Sequence, residues 1–255
     1  MISKQKKRRT EKAIDRRTIR KYTSEKISEK TLNYILSCGQ RASNCGNMQL
    51  YSIIITQSEE GKKRLAPLDF NQPMVEECDV VLTVCVDVNR FNRWCDISQA
   101  DKSLNNFLFL NVATIDATIC TQAMASAAEE KGLGVCYLGT VNYMVEDIAK
   151  ALNLPDGVIP VTTLTIGYPK EMPPMTERLP LSSIVHYEEY KDYTDANIKA
   201  MYKDIENNPT NKDFVQENNL SNLAQVFTQV RYPKQMNEEF SKKYEDYLKE
   251  HFFEK

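Results

Sequence analysis

One long helical pattern limits what this chain can fold into more than any other feature of the sequence. The pattern covers residues 99–131, and Gly132 is expected to end it. Its apolar residues include Leu108, Leu110, Val112, Ile115, Ile119 and Met124. Polar residues interrupt the run at Asn105, Asn106, Asn111, Asp116 and Gln122. Because such a helix must be covered on most sides, and because the polar residues argue against a membrane span, we expect a buried central helix.

Four apolar, largely β-branched runs predict strands. They are residues 51–56, 79–87, 133–140 and 158–168. The second run is apolar nearly throughout, which is typical of a strand covered on both faces. No repeat or clear linker divides the sequence. We therefore expect residues 1–255 to form a single domain, with residues 187–255 as a mostly helical C-terminal extension.

Charge argues against a nucleic-acid or membrane partner for the molecule as a whole. The net charge of the 255 residues is −2, although ten Lys and Arg residues lie between positions 4 and 21 against only Glu11 and Asp15. Residues 2–14 are expected to form a helix whose basic face is solvated. The alternative is a nucleic-acid-binding arm, which predicts salt-sensitive binding that is lost when residues 1–12 are removed.

The seven cysteines and the start of the chain both favour a cytoplasmic protein. The cysteines are odd in number and contain no Cys-x-x-Cys pair, so we expect reduced, mostly buried thiols. No apolar segment opens the sequence, so no secretory signal is expected.

The usual catalytic motifs are missing from the sequence. Gly132, Gly134 and Gly139 have the wrong spacing for a dinucleotide fingerprint, and they open a strand instead of a helix. His186 and His251 stand far apart, which makes a zinc site or a Ser–His–Asp site improbable. Asp69, Glu76, Glu77 and Asp79 could supply paired carboxylates, but the sequence gives no partner geometry, so we expect them in a solvated loop. An enzyme of this kind needs a cofactor that carries the chemistry.

Six separated segments, taken in order, match one family. They are Arg16-Arg17-Thr18-Ile19-Arg20-Lys21-Tyr22, Ala42-Ser43-Asn44 through Gln49, Gln72 ahead of a strand, Gly132-Leu133-Gly134-Val135-Cys136-Tyr137-Leu138-Gly139, the run from Leu154-Pro155 to Gly167-Tyr168-Pro169, and Arg178-Leu179-Pro180-Leu181. On these residues the chain resembles the FMN-dependent nitroreductase family, most closely its NADPH-using, oxygen-insensitive nitroreductase and flavin reductase branch. The resemblance covers about residues 16–190.

The resemblance implies an α+β, nitroreductase-like fold with a central mixed β-sheet between helices. It also implies a homodimer that completes the domain and places FMN at the interface. NADPH or NADH would give a hydride to flavin N5 and leave. A small-molecule acceptor (a nitroaromatic, a quinone or a flavin) would then be reduced, which gives ping-pong kinetics. The alternative is an FMN-binding or storage protein with little turnover.

The resemblance also implies which residues bind FMN. Arg16, Thr18 and Arg178 would hold the phosphate, and Arg17 would add backbone or side-chain contacts. Arg20 would approach the N1/O2 edge of the ring, where a cation stabilises reduced flavin. No side chain is expected to act as catalytic acid or base, and Arg20 and Gly139 would tune the ring.

The remaining predicted contacts surround the ring. Gln72 would bond its polar edge, and Tyr137, Leu138 and Gly139 would pass along one face, with the Gly139 N–H near N5. Ser43 and Asn44 would reach the flavin from the other subunit, in the loop that ends at Gln49.

The chain departs from the family in the Asn44-Cys45-Gly46 loop and at Thr176, where a basic residue is common. The arginine segment that contacts the NADPH 2′-phosphate in this branch is not recognisable, which leaves Lys212 and Arg231 as substitutes. The sequence leaves open the acceptor, the choice between NADPH and NADH, and whether Cys45 is reactive or an inert small side chain.

Overall fold

The computed structural model describes residues 14–254. Strands β1–β4 span Tyr51–Thr56, Val80–Asp87, Gly134–Leu138 and Val158–Gly167. Helices α1–α10 span Glu29–Gln40, Glu59–Leu65, Met74–Glu77, Asn89–Ile97, Phe107–Glu130, Val145–Ala151, Asp195–Asn207, Pro209–Glu217, Leu223–Gln225 and Lys234–Leu248. Short 3₁₀ turns cover Cys45–Asn47, Ala66–Asp69, Thr140–Asn142 and Leu181–Ser183, and π-helical turns cover Val226–Arg231 and Lys249–Phe253.

All four predicted strands are present. Helix α4 follows β2 closely, and a hydrogen bond from the Arg90 N–H to Asp87 Oδ1 (3.0 Å) supports its first turn. The predicted helix over residues 2–14 lies outside the described residues, apart from Ile14.

The four strands form one sheet in the order β1-β2-β4-β3, and every neighbouring pair is antiparallel. The expectation of a mixed sheet is therefore wrong for the sheet that the structure describes. The physical reason is the position of β4. Strand β4 lies between β2 and β3 and is antiparallel to both. The strands β2 and β3, which run in the same direction, therefore do not pair with each other.

Helix α5 lies at the centre of the fold, as expected, but begins later than predicted. Asn106 caps it by accepting a hydrogen bond from the Phe109 N–H at 3.0 Å, so residues 99–106 precede the helix. One side of α5 packs with α1 against the sheet, and Ala117, Cys120 and Met124 are fully buried there. By length and composition this helix would also pass as a membrane span, a property that core helices of soluble proteins share.

The opposite side of α5 is apolar and exposed. Phe107, Leu108, Ile115 and Ile119 are 77%, 65%, 51% and 40% exposed. The expectation that most sides of the helix are buried is therefore wrong for a single copy of the chain. Apolar residues do surround the helix, as predicted, but within residues 14–254 other elements bury only one side of it.

The other face of the sheet covers a second apolar cluster, which includes Leu65, Val75, Val81, Cys136 and Leu138. Near it, the expectation of a solvated acidic loop is wrong for two of the four residues. Asp79 is 4% exposed. Its charge can be buried because the carboxylate accepts a hydrogen bond from the Ile27 N–H at 2.7 Å and pairs with Lys26 Nζ at 3.0 Å. Asp69 is 1% exposed, and Glu76 and Glu77 are exposed as expected.

The described residues divide into two compact units. The first contains residues 14–174 and 242–254, and the second is Met175–Ser241. In the second unit a capping box between Thr194 and Asn197 begins α7, one of the helices of the segment that is predicted to be mostly helical. The interpretation of residues 1–255 as one domain, with an extension from 187, stays a prediction.

Candidate functional site

The arginine segment, residues 16–22, lies against β3 and β4. The Ile19 N–H donates to the Val135 carbonyl at 3.0 Å, and the Thr23 N–H donates to the Tyr168 carbonyl at 2.9 Å. Ile19 and Tyr22 are buried, and the Tyr22 hydroxyl lies 2.8 Å from Thr165 Oγ1. With these two side chains facing inward, the segment is fixed to the sheet while its cations remain outside the core.

Two glycines allow this close approach. A Cβ at Gly134 would lie 2.6 Å from the Ile19 side chain, and a Cβ at Gly167 would lie 2.7 Å from Tyr22 Cδ1. Neither distance is possible for a larger residue without movement of the segment. The glycines that failed as a dinucleotide motif therefore include one that seats the arginine segment.

Arg16 is held in a partly buried position beside β3. Its Nε lies 3.1 Å from Glu129 Oε1 as an ion pair without the alignment of a good hydrogen bond, and its guanidinium lies 5.9 Å from the Tyr137 ring centre. Burial raises the pKa of Glu129, and Arg16 lowers it. The Arg16 side chain is only 26% exposed, so this cation has limited freedom.

The neighbouring residues extend the positive charge. Arg17 Nη1 donates to the Asp15 carbonyl at 3.2 Å, while its buried Nε has no hydrogen-bond partner among residues 14–254. Thr18 is half-buried and Arg20 is exposed. Burial raises the pKa of the Cys136 thiol on β3, and the positive charges of Arg20 and Arg16 lower it.

The end of β3 presents a half-buried tyrosine and an open glycine. The Tyr137 hydroxyl donates to Gln122 Oε1 at 3.2 Å, and burial, opposed by Arg16, raises its pKa to about 12. Leu138 is buried in the core, so only its backbone can meet a ligand. Gly139 has a φ of −88°, which any residue can adopt, and a Cβ there would meet no atom of residues 14–254 within 4 Å. The space beside Gly139 is therefore free to receive a ligand.

A long-range contact brings Gln72 to the same region. The Thr140 hydroxyl donates to Asp69 Oδ1, and the Gln72 N–H donates to the Asp69 carbonyl at 3.2 Å. Burial raises the pKa of Asp69, and the Thr140 bond lowers it. This role could not be predicted from the sequence, because the two side chains are 71 positions apart and no local pattern marks them.

The loop that carries Ser43 and Asn44 is held by α5. The Cys45 N–H lies 3.0 and 3.1 Å from the two carboxylate oxygens of Asp116, which is 3% exposed. Burial raises the pKa of Asp116, and this hydrogen bond lowers it. Asn44 Oδ1 accepts the Gln49 N–H at 3.2 Å, so the loop is closed on itself.

The backbone of this loop is strongly bent. Gly46, Asn47 and Gln49 have φ values of 54°, 58° and 53°. The Gln49 side chain donates to the Asn47 carbonyl at 3.1 Å, and Ser43 and Cys45 are exposed. The predicted site residues are thus held by different elements: the loop by α5, and the arginine segment by β3 and β4.

Arg178 belongs to the second unit. Its Nη1 donates to the Thr176 hydroxyl at 2.7 Å and to the Glu177 carbonyl at 3.0 Å, and the residue is exposed. Thr176, which stands where the family often has a cation, therefore contacts Arg178 directly. The role of Arg178 at a phosphate stays a prediction.

Comparison with known proteins identifies the family. The Nitroreductase family model matches residues 13–168. FMN reductase (NADPH) of Bacillus subtilis is 30% identical over 187 residues, which cover 72% of this chain and 75% of that protein. Oxygen-insensitive NADPH nitroreductase of Salmonella typhimurium is 30% identical over 186 residues, covering 73% and 75%. A candidate oxidoreductase from Bacteroides fragilis has a crystal structure that superposes with a TM-score of 0.93 at 44% identity, covering 95% of this chain and 99% of its own. The chain belongs to the Nitroreductase family.

Proposed function

We propose that this protein is an NAD(P)H oxidoreductase that works through bound FMN. One observation carries the proposal: the Ile19–Val135 hydrogen bond fixes the arginine segment beside β3, the strand that Gly139 directly follows. Cations for a phosphate and open space for a ring therefore lie along one strand. Relatives named as FMN reductases and nitroreductases support the same activity.

The phosphate would be bound by guanidinium and hydroxyl groups. Arg16 presents Nη donors while Glu129 holds its Nε, and the buried Nε of Arg17 lacks a partner within the described part of the chain. Charge-assisted hydrogen bonds of this kind suit a phosphate. Thr18 and Arg178 are proposed to complete the set.

The ring would lie beside Gly139. FMN, when bound, supplies hydride acceptance at its N5 atom. The Gly139 backbone N–H would donate toward that atom, and the Gln72 amide would bond the polar edge. Arg20 would place its positive charge at the N1/O2 edge, where negative charge develops on reduction. Tyr137 and the Leu138 backbone would line one face.

We propose a homodimer that completes this site. The exposed apolar side of α5 contains Ile115, the neighbour of Asp116, which holds the loop of Ser43 and Asn44. Large apolar side chains exposed along one side of a helix favour association with a second copy. Burying it would place Ser43, Asn44 and Gln49 at the interface, where they can reach the partner's flavin.

The donor and the acceptor would use one pocket in turn, which gives ping-pong kinetics. NADPH or NADH would serve as donor, and a nitroaromatic, a quinone or a flavin as acceptor.

We propose a cytoplasmic location, and neither a nucleic-acid nor a membrane partner. An FMN-storage role is the alternative, favoured by the way Arg178 is engaged by Thr176 and Glu177 in its own unit.

The deciding experiment is anaerobic stopped-flow reduction of the FMN-loaded protein with NADH and NADPH in parallel. We expect the flavin absorbance to bleach within seconds with at least one donor. Bound FMN that neither donor bleaches would favour storage. A colourless protein that takes up no added FMN would refute both functions.

A further inference from the structure

A buried carboxyl group joins the two segments that carry Gln72 and Gly139. Asp69 is 1% exposed and Thr140 is 9% exposed, and their side chains form a hydrogen bond. Asp69 ends the 3₁₀ turn Ala66–Asp69, and Thr140 directly follows Gly139. The bond therefore connects two turns that are distant in sequence.

A backbone hydrogen bond closes the turn at each end of the Asp69–Thr140 bond. The Asp69 carbonyl accepts the Gln72 N–H at 3.2 Å, across a bend in which Phe70 and Asn71 have φ values of 55° and 53°. The Gly139 carbonyl accepts the Asn142 N–H at 3.2 Å, which closes the second turn around Thr140. Loss of the Asp69–Thr140 hydrogen bond would therefore change the positions of both turns.

We propose that Asp69 is a positioning residue, which through Thr140 sets the spacing between the Gln72 amide and the Gly139 N–H. This inference rests on the proposed FMN site. A second contact, between the rings of Phe70 and Tyr143 at 6.1 Å, joins the same two segments. A buried carboxyl needs a hydrogen-bond partner, so the position of each turn depends on the other.

The test compares Thr140→Val, which removes the hydroxyl, with Thr140→Ser, which keeps it. FMN affinity is measured by fluorescence titration of the flavin-stripped full chain, together with Tm. We expect Thr140→Val to weaken FMN binding by about fivefold, since one hydrogen bond is worth about 1 kcal/mol. Thr140→Ser should bind FMN within about twofold of wild type.

Two further measurements separate positioning from general damage. Thr121 is also buried, and its hydroxyl donates to the Ala117 carbonyl at 2.7 Å, so Thr121→Val makes the same substitution at a buried hydroxyl elsewhere in the fold. We expect it to lower Tm and leave FMN affinity unchanged. Asp69→Ala combined with Thr140→Val should be no worse than either change alone, because both remove the same bond.

The outcomes are distinct. Wild-type protein that binds no FMN would overturn the proposed function and this inference with it. Wild-type binding together with unchanged FMN affinity in Thr140→Val would overturn the inference alone. Equal losses of affinity in Thr140→Val and Thr121→Val would also overturn it, since the effect would then be general destabilisation.

Discussion

Glu129 and Arg16 form an ion pair beside β3, with 3.1 Å between Oε1 and Nε. Both side chains are about a quarter exposed, so the pair is less screened than one on the open surface. The contact uses Nε, which leaves the Nη groups as donors for an anion. Glu129 therefore orients the cation that is proposed to bind the FMN phosphate.

This contact predicts the effect of Glu129→Gln. The variant keeps the shape of the side chain and loses its charge, so Arg16 becomes less constrained. We expect FMN affinity to fall by about threefold to tenfold, as for other interactions worth about 1 kcal/mol. Isothermal titration with FMN would measure it. Glu146→Gln, which breaks the exposed pair with Lys150, is the matched control and should leave FMN affinity unchanged.

Arg16→Ala and Arg20→Ala are expected to have different effects. Arg16→Ala should mainly weaken FMN retention, by about tenfold to a hundredfold, since charge-assisted bonds contribute about 1.5–3 kcal/mol. Arg20→Ala should mainly slow the reduction of flavin that is still bound. Lys21→Ala, which removes the exposed pair with Glu171, is the control for loss of charge. Equal effects of both arginine variants on affinity and on reduction rate would contradict the division of roles.

The sheet and the central helix could be predicted because their signals are local. Strand β1 begins and ends at the predicted residues, and β2 is buried on both faces, as its apolar sequence predicts. Ser28 caps α1 and is one of the residue types preferred at that position. Strand order and direction could not be predicted in this way. They depend on the position of β4 between β2 and β3, and the pattern of apolar residues along the sequence contains no information about that position.

The residues that shape the site were harder to find than those proposed to bind the cofactor. Asp116 with Cys45, and Asp69 with Thr140, are each 71 positions apart. Such pairs leave no spacing pattern, and a polar residue in a loop or an apolar helix looks the same whether or not it has a distant partner. The resemblance identified candidate cofactor contacts, while the buried carboxylates that hold their loops emerged only from the three-dimensional contacts.

Asp116 predicts a pH-dependent difference in stability. Burial raises the pKa of Asp116 above its ordinary 3.8, despite the bond from Cys45. A raised folded-state pKa contributes stability that is present at low pH and is lost as pH rises through that value. Asp116→Asn keeps an acceptor for the Cys45 N–H and cannot ionise.

We therefore expect the Tm of Asp116→Asn, relative to wild type, to become more favourable as pH rises from about 4 to about 8. Thermal unfolding across this range would measure it, with exposed Asp147→Asn as the control. A Tm difference that is independent of pH, or that falls as pH rises, would contradict the assignment.

The exposed side of α5 predicts a variant that separates the subunits. Ile115→Glu would place two like-charged groups in the proposed interface, where desolvation makes them costly. We expect a monomer by light scattering at concentrations where wild type is a dimer, with loss of bound FMN. Ile198→Glu, on α7 and 41% exposed, is the matched control and should stay dimeric. A dimeric Ile115→Glu variant with normal FMN content would place the interface elsewhere.

Arg231 predicts how the donor is selected. Its guanidinium lies 4.8 Å from the Phe214 ring centre and 5.0 Å from that of Phe227, so the cation packs against two aromatic rings. A cationic side chain that is already ordered loses less conformational entropy when it binds a phosphate. If Arg231 binds the 2′-phosphate, Arg231→Ala should raise the KM for NADPH by about tenfold and leave that for NADH unchanged. Steady-state assays with both donors would measure this, with Lys212→Ala as the competing candidate. Equal changes for NADPH and NADH would exclude Arg231 as the residue that distinguishes them.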